Sequence, residues 1–222
     1  MKPTKKTGLS HLLLLLMVAL FSPLVAQGET ILVMGDSLSA GYGIQEKEAW
    51  PNLLRDTLKK QGFGHYLVVN ASISGETTAG GAARLPVLLA KHQPDIVILE
   101  LGANDGLRGL PLKTMEKNLD GMIRRSREQK ATVVLAGMRI PPNYGKRYTT
   151  EFHQVFHRLA QQHALALIPF LLEGLPGEES YFQEDGLHPT AKAQPLIRDR
   201  VWESLRPLLQ AGKETVRLGG KK

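Results

Sequence analysis

The chain has 222 residues, of which 42% are hydrophobic and 22% are charged, as in a globular protein with one core. It contains no cysteine, which excludes disulfides, thiolate metal sites and a cysteine nucleophile. The formal net charge is +7, but no basic run is interleaved with aromatic residues, so the sequence predicts no nucleic-acid partner.

The N-terminus has the pattern of a secretory signal peptide. Lysines among the first six residues precede an apolar run over residues 12–21, and Ala26 is a small residue at a suitable cleavage point. The apolar run is shorter than the roughly 20 residues that span a bilayer. We therefore predict a cleaved signal peptide over residues 1–26 and a periplasmic protein. An uncleaved membrane anchor and cleavage after Gly28 are the alternatives.

Five short apolar runs rich in β-branched residues predict strands. They cover residues 30–34, 66–70, 95–101, 131–136 and 165–169. These runs are almost continuously apolar and do not alternate with polar residues. They are therefore typical of parallel strands that are buried on both faces.

Helical patterns lie between and after these runs. They cover residues 48–60, 81–92, 114–129 (with Thr114 as N-cap), 149–163 and 190 to about 209. Alternation of strand and helix predicts right-handed crossovers and a doubly wound α/β sandwich. No repeat or linker divides the chain, so we predict one domain over residues 27–210 and a basic tail over residues 211–222.

Ligands bind doubly wound sheets outside the carboxyl ends of the strands. The polar and glycine-rich clusters of this sequence follow the predicted strands. In chain order they contain Ser37, Gly75, Asn104 and Arg139, and the segment EDGLHP over residues 184–189 follows the last strand. We therefore expect the chemistry at this edge of the sheet.

Ser37 lies in GDSLS, directly after the first strand, where it is either a turn residue or a nucleophile. A serine hydroxyl needs a base to take its proton, usually a histidine that a carboxylate orients. His188 follows Asp185 by three residues, which puts both side chains on one side of a turn. The pair is a candidate base and orienting acid. An aspartate cap beside an incidental histidine is the alternative.

Acyl transfer also requires donors aimed at the developing oxyanion. The candidates are the N–H of Ser37, the N–H of Gly75 and the side-chain amide of Asn104, although each alone equally suits a turn. His153 and His157 have a spacing that suits a metal, but no third ligand is apparent. For these two we predict a solvated helix face and no metal.

Four segments together resemble the sequence blocks of the SGNH (GDSL) hydrolases. They are GDSLS with Ser37, the stretch with Gly75, GAND with Asn104, and DGLH with Asp185 and His188. Their order and spacing are similar to those of bacterial members that hydrolyse acyl-CoA thioesters, lysophospholipids and aryl esters. The motif G-x-S-x-G is absent around Ser37, which argues against an ordinary α/β-hydrolase.

The resemblance implies a flavodoxin-like three-layer sandwich with a five-stranded parallel sheet, and acyl transfer without metal or cofactor. It implies Ser37 as nucleophile, His188 as base and Asp185 as the residue that orients His188. The oxyanion would be bound by Ser37, Gly75 and Asn104.

The resemblance also implies an acyl-binding region. In the similar enzymes a loop after the asparagine moves over acyl chains, and here that loop covers residues 106–111. A second border would come from the segment MRIPPNYG. The predicted substrate-binding residues are Leu107, Leu110, Ile140, Pro141 and Tyr144.

The expected function is hydrolysis of small acyl esters, thioesters and lysophospholipids by a monomer with no cofactor and at most peripheral membrane contact. A carbohydrate acetylesterase on the same fold is the first alternative. A non-catalytic α/β ligand-binding module is the second, although no G-x-G-x-x-G or P-loop motif supports it. The tail over residues 211–222 would fray in solvent or touch anionic envelope polymers.

Overall fold

The computed structural model describes residues 29–177 and 179–219 of the chain. The predicted signal peptide over residues 1–26 lies outside the described residues, as do residues 220–222 of the tail. No helix in the described ranges is long and apolar enough to cross a membrane.

Five parallel strands form one sheet. They are β1 (Thr30–Gly35), β2 (Leu67–Asn70), β3 (Ile96–Glu100), β4 (Thr132–Ala136) and β5 (Ala166–Ile168). Their order across the sheet is β2–β1–β3–β4–β5, the order of flavodoxin-like folds. The predicted α/β class and the five predicted strands are confirmed, each to within one residue at either end.

Helices cover both faces of the sheet and make three layers. In the described ranges they are α1 (Ser37–Ala40), α2 (Trp50–Lys60), α3 (Thr78–His92), α4 (Ala103–Leu107), α5 (Leu112–Glu128), α6 (Lys146–His163) and α7 (Gln194–Gly219). Helix α2 packs against α7, whereas α5 packs against both α3 and α6. The short helices α1 and α4 have no periodic apolar pattern, and the sequence did not predict them as elements.

All five predicted helices start two to four residues away from the predicted position, at Trp50, Thr78, Leu112, Lys146 and Gln194. In two of them the residue that precedes the helix accounts for the shift. Helix α3 begins at Thr78, since the Thr77 hydroxyl accepts the N–H of Gly80 at 3.3 Å. Helix α5 begins directly after Pro111. The predicted N-cap Thr114 is therefore wrong, because this residue already lies in the first turn of α5.

The last helix is longer than predicted. Helix α7 continues to Gly219, ten residues beyond the predicted end at residue 209. Residues 210–219 contain no proline and are mostly good helix formers, so nothing in them ends the helix. The predicted tail is therefore helical as far as Gly219.

The two central strands are the best buried part of the sheet. Every residue of β1 and β3 is buried, with side chains packed against both helical layers. Gly35 at the end of β1 pairs in register with Glu100 at the end of β3. The segments after these two strands therefore start side by side, at the point where the strand order reverses.

Candidate active site

The turn after β1 presents Ser37. The Asp36 carboxylate accepts the N–H of Leu38 at 3.0 Å and caps α1, so Ser37 becomes the first residue of this short helix. Gly41 ends the helix with a φ of 77°, in the left-handed region that glycine favours. Ser37 remains partly exposed while its neighbours Asp36 and Leu38 are buried.

Gly35, at the end of β1, has no side chain, and this leaves space for the side chains that pack against the turn. A Cβ at this position would lie 2.6 Å from Glu100 Oε2 and 2.7 Å from the Ser39 hydroxyl, both of which are buried. We expect Gly35→Ala to lower the free energy of unfolding by about 1–3 kcal/mol, as overpacking does. Urea denaturation measures this.

Gly121→Ala is the matched control for that substitution, because a Cβ there meets nothing within 4 Å in helix α5. Alanine at an open helical position is neutral or stabilising. Equal unfolding free energies for Gly35→Ala and the unmodified protein would contradict the packing argument.

Ser37, His188 and Asp185 form a continuous chain of polar contacts. The Ser37 Oγ lies 2.8 Å from His188 Nε2, and His188 Nδ1 lies 2.5 Å from Asp185 Oδ2. With the ring proton on Nδ1 donated to Asp185, Nε2 accepts the hydroxyl proton of Ser37. The structure thus brings together three residues that are up to 151 positions apart in the chain.

Hydrogen bonds hold Asp185 as a carboxylate. Its Oδ1 accepts the N–H groups of Leu187 at 2.8 Å and His188 at 2.9 Å. Burial alone would raise the pKa of Asp185, but these bonds and the His188 ring outweigh it and lower the pKa to about 2. Asp185 is therefore ionised throughout the neutral range.

The lowered pKa has a consequence for acid stability. A carboxylate whose pKa is lower in the folded than in the unfolded protein stabilises the fold. This stabilisation is present above the unfolded-state pKa near 3.8 and is lost as the pH falls through the folded-state pKa of about 2. We expect the stability difference between the unmodified protein and Asp185→Asn to shrink as pH falls from 4 to 2. Urea denaturation across this range measures it, and a constant difference would contradict the lowered pKa.

Gln183 joins the segment with His188 to the segment with Ser37, a role that sequence reasoning missed. Its backbone N–H donates to the His188 carbonyl at 2.8 Å, and its side-chain amide donates to the carbonyls of Tyr42 at 2.8 Å and Pro189 at 3.2 Å. The Tyr42 ring lies 4.6 Å from the His188 ring, centroid to centroid. No sequence signal marks a glutamine for such a bridge, because its partners are backbone carbonyls.

The three candidate oxyanion donors lie at the carboxyl edge of the sheet. Gly75 follows β2 with a φ of 77°, and its carbonyl accepts from Arg108 at 2.9 Å. Asn104 lies in α4 after β3, and its side-chain nitrogen donates to Asp36 at 3.1 Å. Within the described part of the chain, the N–H groups of Ser37 and Gly75 donate to no acceptor. Both are therefore free to bind an oxyanion.

A buried carboxylate links the two segments that carry Gly75 and Asn104. Asp105 accepts the N–H of Thr78 at 2.8 Å and its hydroxyl at 2.6 Å, and Asn118 donates to that hydroxyl at 3.1 Å. The start of α3 is thus tied to α4.

An apolar cavity opens beside Ser37 and His188. Its volume is about 340 Å³, within the range of small-molecule sites. Its other lining residues are Asp36, Leu38, Ala103, Asn104, Met138, Arg139, Ile140, Pro141, Phe170, Leu172, Leu175, Phe182, Gly186 and Leu187.

The structure brings only part of the predicted acyl region to this cavity. Ile140 and Pro141 line it, whereas Leu107, Leu110 and Tyr144 do not. Tyr144 instead donates its hydroxyl to the Leu107 carbonyl at 2.8 Å, and Leu107 packs against the core.

A further part of the cavity wall comes from the segment after β5, which sequence reasoning missed. Four apolar side chains of that segment line the cavity: Phe170, Leu172, Leu175 and Phe182. Their irregular spacing has no helical or strand period, so periodicity gave no signal for them.

The two helical histidines interact with each other. The His153 and His157 Nε2 atoms lie 3.1 Å apart, and His153 Nδ1 lies 3.1 Å from the Met138 carbonyl. Burial lowers the pKa of His153, and both rings are half-buried, so this face is less solvated than predicted. The described residues contain no cluster of three side chains that could hold a metal.

Comparisons with known proteins identify the family of the chain. A family model described as "GDSL-like Lipase/Acylhydrolase family" matches residues 33–195. The chain therefore belongs to this family of hydrolases, and the non-catalytic ligand-binding alternative is not retained.

Three similar proteins are informative. An arylesterase of Vibrio mimicus is 48% identical over 80% of this chain and 88% of its own length. The thioesterase 1/protease 1/lysophospholipase L1 of Escherichia coli K12 is 42% identical over 83% of this chain and 86% of its own length. The crystal structure of TesA has a TM-score of 0.78 and 47% identity, and covers 81% of this chain and 99% of that chain.

Proposed function

We propose that this protein cleaves acyl esters and thioesters through an acyl-enzyme on Ser37. The supporting observation is the chain of contacts from Ser37 Oγ to His188 Nε2 at 2.8 Å and from His188 Nδ1 to Asp185 at 2.5 Å, beside an apolar cavity. Nucleophile, base and orienting carboxylate are the parts that acyl transfer needs.

In the first half-reaction, Ser37 Oγ attacks the substrate carbonyl while His188 Nε2 takes the hydroxyl proton. Asp185 stays ionised and stabilises the imidazolium that forms. The tetrahedral intermediate then collapses, the carbonyl–leaving-group bond breaks, and His188 gives its proton to the departing thiol or alcohol. Water activated by His188 hydrolyses the acyl-enzyme in the second half-reaction.

The negative charge of the tetrahedral intermediate falls on the former carbonyl oxygen. We assign its stabilisation to the N–H groups of Ser37 and Gly75 and to the side-chain amide of Asn104. All three are preorganised donors, so they do not have to rearrange as the charge develops.

The cavity supports an acyl chain as the bound part of the substrate. Its walls are mainly aliphatic and aromatic, with Ile140 and Phe170 among them, and such a lining favours a hydrocarbon over a sugar. The names of the similar proteins include arylesterase, thioesterase and lysophospholipase. We therefore propose aryl esters, acyl thioesters and lysophospholipids as the substrate classes.

A chain-length series tests this assignment against a carbohydrate acetylesterase. We expect a higher kcat/KM for p-nitrophenyl octanoate than for p-nitrophenyl acetate, and hydrolysis of octanoyl-CoA without added metal. A strict preference for acetyl esters would exclude the proposed substrate class. An absolute requirement for a metal would exclude the mechanism.

We also propose that the protein is exported to the periplasm and works there as a monomer. The support for export is the signal-like sequence of residues 1–26. The mass of the exported protein should lack these residues, and a mass that includes them would exclude cleavage. Light scattering of the mature protein tests the monomer.

A further inference from the structure

Two buried carboxyl groups lie directly behind the candidate oxyanion site, and the proposed mechanism uses neither. Asp36 is 1% exposed and Glu100 is fully buried. Glu100 ends β3 and pairs in register with Gly35, the residue before Asp36. Buried acids are costly unless their surroundings stabilise them, so their contacts call for an explanation.

Asp36 restrains the amide of Asn104. One carboxylate oxygen accepts the Leu38 N–H at 3.0 Å, and the other accepts from Asn104 Nδ2 at 3.1 Å. An amide nitrogen carries two hydrogens, so the bond to Asp36 leaves the second one available in the cavity that Ser37 and Asn104 both line. Rotating the amide by half a turn would place its oxygen against the carboxylate, which is repulsive.

Glu100 supports the backbone of the same turn. Its Oε2 accepts the N–H of Asp36 at 3.2 Å and the hydroxyl of Ser39 at 2.6 Å. Its Oε1 has no hydrogen-bond partner among the described residues. An ionised carboxylate in that position would be incompletely compensated and would lie beside a second anion.

The surroundings of the two acids favour different protonation states. Burial and the neighbouring Asp36 charge raise the pKa of Glu100 well above its ordinary value. Burial also raises the pKa of Asp36, but the Leu38 N–H and the Asn104 amide oppose this effect and the pKa reaches about 6. The surroundings of Glu100 therefore favour its neutral, protonated form, whereas the hydrogen bonds to Asp36 favour its carboxylate form.

We propose that Asp36 is a positioning residue that fixes the Asn104 amide as an oxyanion donor, and that neutral Glu100 holds the Asp36 turn without adding a second negative charge. This inference rests on the proposed acyl transfer at Ser37. The position of Glu100 also explains why residue 35 is a glycine, because the Glu100 carboxyl occupies the space that a side chain at position 35 would need.

Asp36→Asn is the central test. Asparagine still caps α1 through its oxygen, but it turns an NH₂ group towards Asn104. The Asn104 amide must then present its oxygen, and its donor leaves the oxyanion position. We expect kcat to fall on the order of 10²-fold, the effect of misplacing a catalytic group, with little change in KM. Asp56→Asn makes the same charge change at an exposed site and should keep the normal kcat.

A double-mutant cycle separates positioning from a general structural effect. If Asp36 acts through Asn104, adding Asp36→Asn to Asn104→Ala should lower kcat little further. If the kcat loss of the double variant equals the product of the two single-variant losses, the two residues act independently and the proposal is overturned. A normal kcat for Asp36→Asn would also overturn it, provided that Ser37→Ala is inactive. An unmodified protein without esterase activity would instead refute the proposed function.

Glu100→Gln tests the neutral state. Glutamine keeps an acceptor for Ser39 and carries no charge, so kcat should stay within a few-fold of normal. A loss as large as that of Asp36→Asn would show that Glu100 acts as an anion. Thermal unfolding checks that each variant folds. If Asp36→Asn does not fold, Asp36→Ser caps α1 equally well, cannot reach Asn104, and should show the same loss of kcat.

Discussion

Ser37→Ala should lower kcat for ester hydrolysis by about 10⁶-fold, the loss seen when a serine nucleophile is removed. Without Oγ no acyl-enzyme can form, and the His188–Asp185 pair has no proton to accept. Binding of the substrate in the apolar cavity should persist, since the substitution removes only one hydroxyl group from its wall. Steady-state kinetics with p-nitrophenyl octanoate measure the effect.

Ser74→Ala is the matched control for the nucleophile. Ser74 is exposed, lies at the same edge of the sheet and precedes Gly75 directly. The control should keep its activity. A Ser37→Ala enzyme within tenfold of the unmodified kcat would contradict the assignment of Ser37.

Asn104→Ala should lower kcat by about 10²–10³-fold, the usual effect of losing one oxyanion donor. The donor acts on the charge of the transition state more than on the neutral substrate, so KM should change little. The Ser37 and Gly75 N–H groups remain, which is why the loss should be smaller than for Ser37. The same ester assay measures it.

Asn143→Ala is the control for the amide, because Asn143 is exposed and does not line the cavity. A large rise in KM with an unchanged kcat for Asn104→Ala would assign the amide to substrate binding. That result would contradict an oxyanion role.

The sequence predicts the sheet well because its strands are buried on both faces. The continuous apolar run over residues 96–99, within the predicted strand over residues 95–101, has few alternatives to a central parallel strand. The rule that ligands bind at the carboxyl edge then selected Ser37, Gly75 and Asn104 from the many polar residues and glycines of the chain. The spacing of Asp185 and His188 selected the remaining pair, and the structure brings this pair to Ser37.

Other parts of the site were not predictable because their partners are backbone atoms or distant side chains. Gln183 bonds to two carbonyls, one of them 141 positions away in the chain. In the sequence, Glu100 is an acidic residue near the end of a predicted apolar strand. Only the pairing of β3 with β1 places it against Asp36. The cavity wall after β5 is irregular chain, whose course depends on tertiary packing more than on local pattern.

The most direct test of the central claim is covalent labelling with a fluorophosphonate, followed by mass spectrometry of the intact protein and its peptides. The account predicts one adduct per chain, located on the peptide with Ser37, and no adduct on Ser37→Ala. Labelling of Ser37→Ala to the same extent, or an adduct on a different residue, would contradict it.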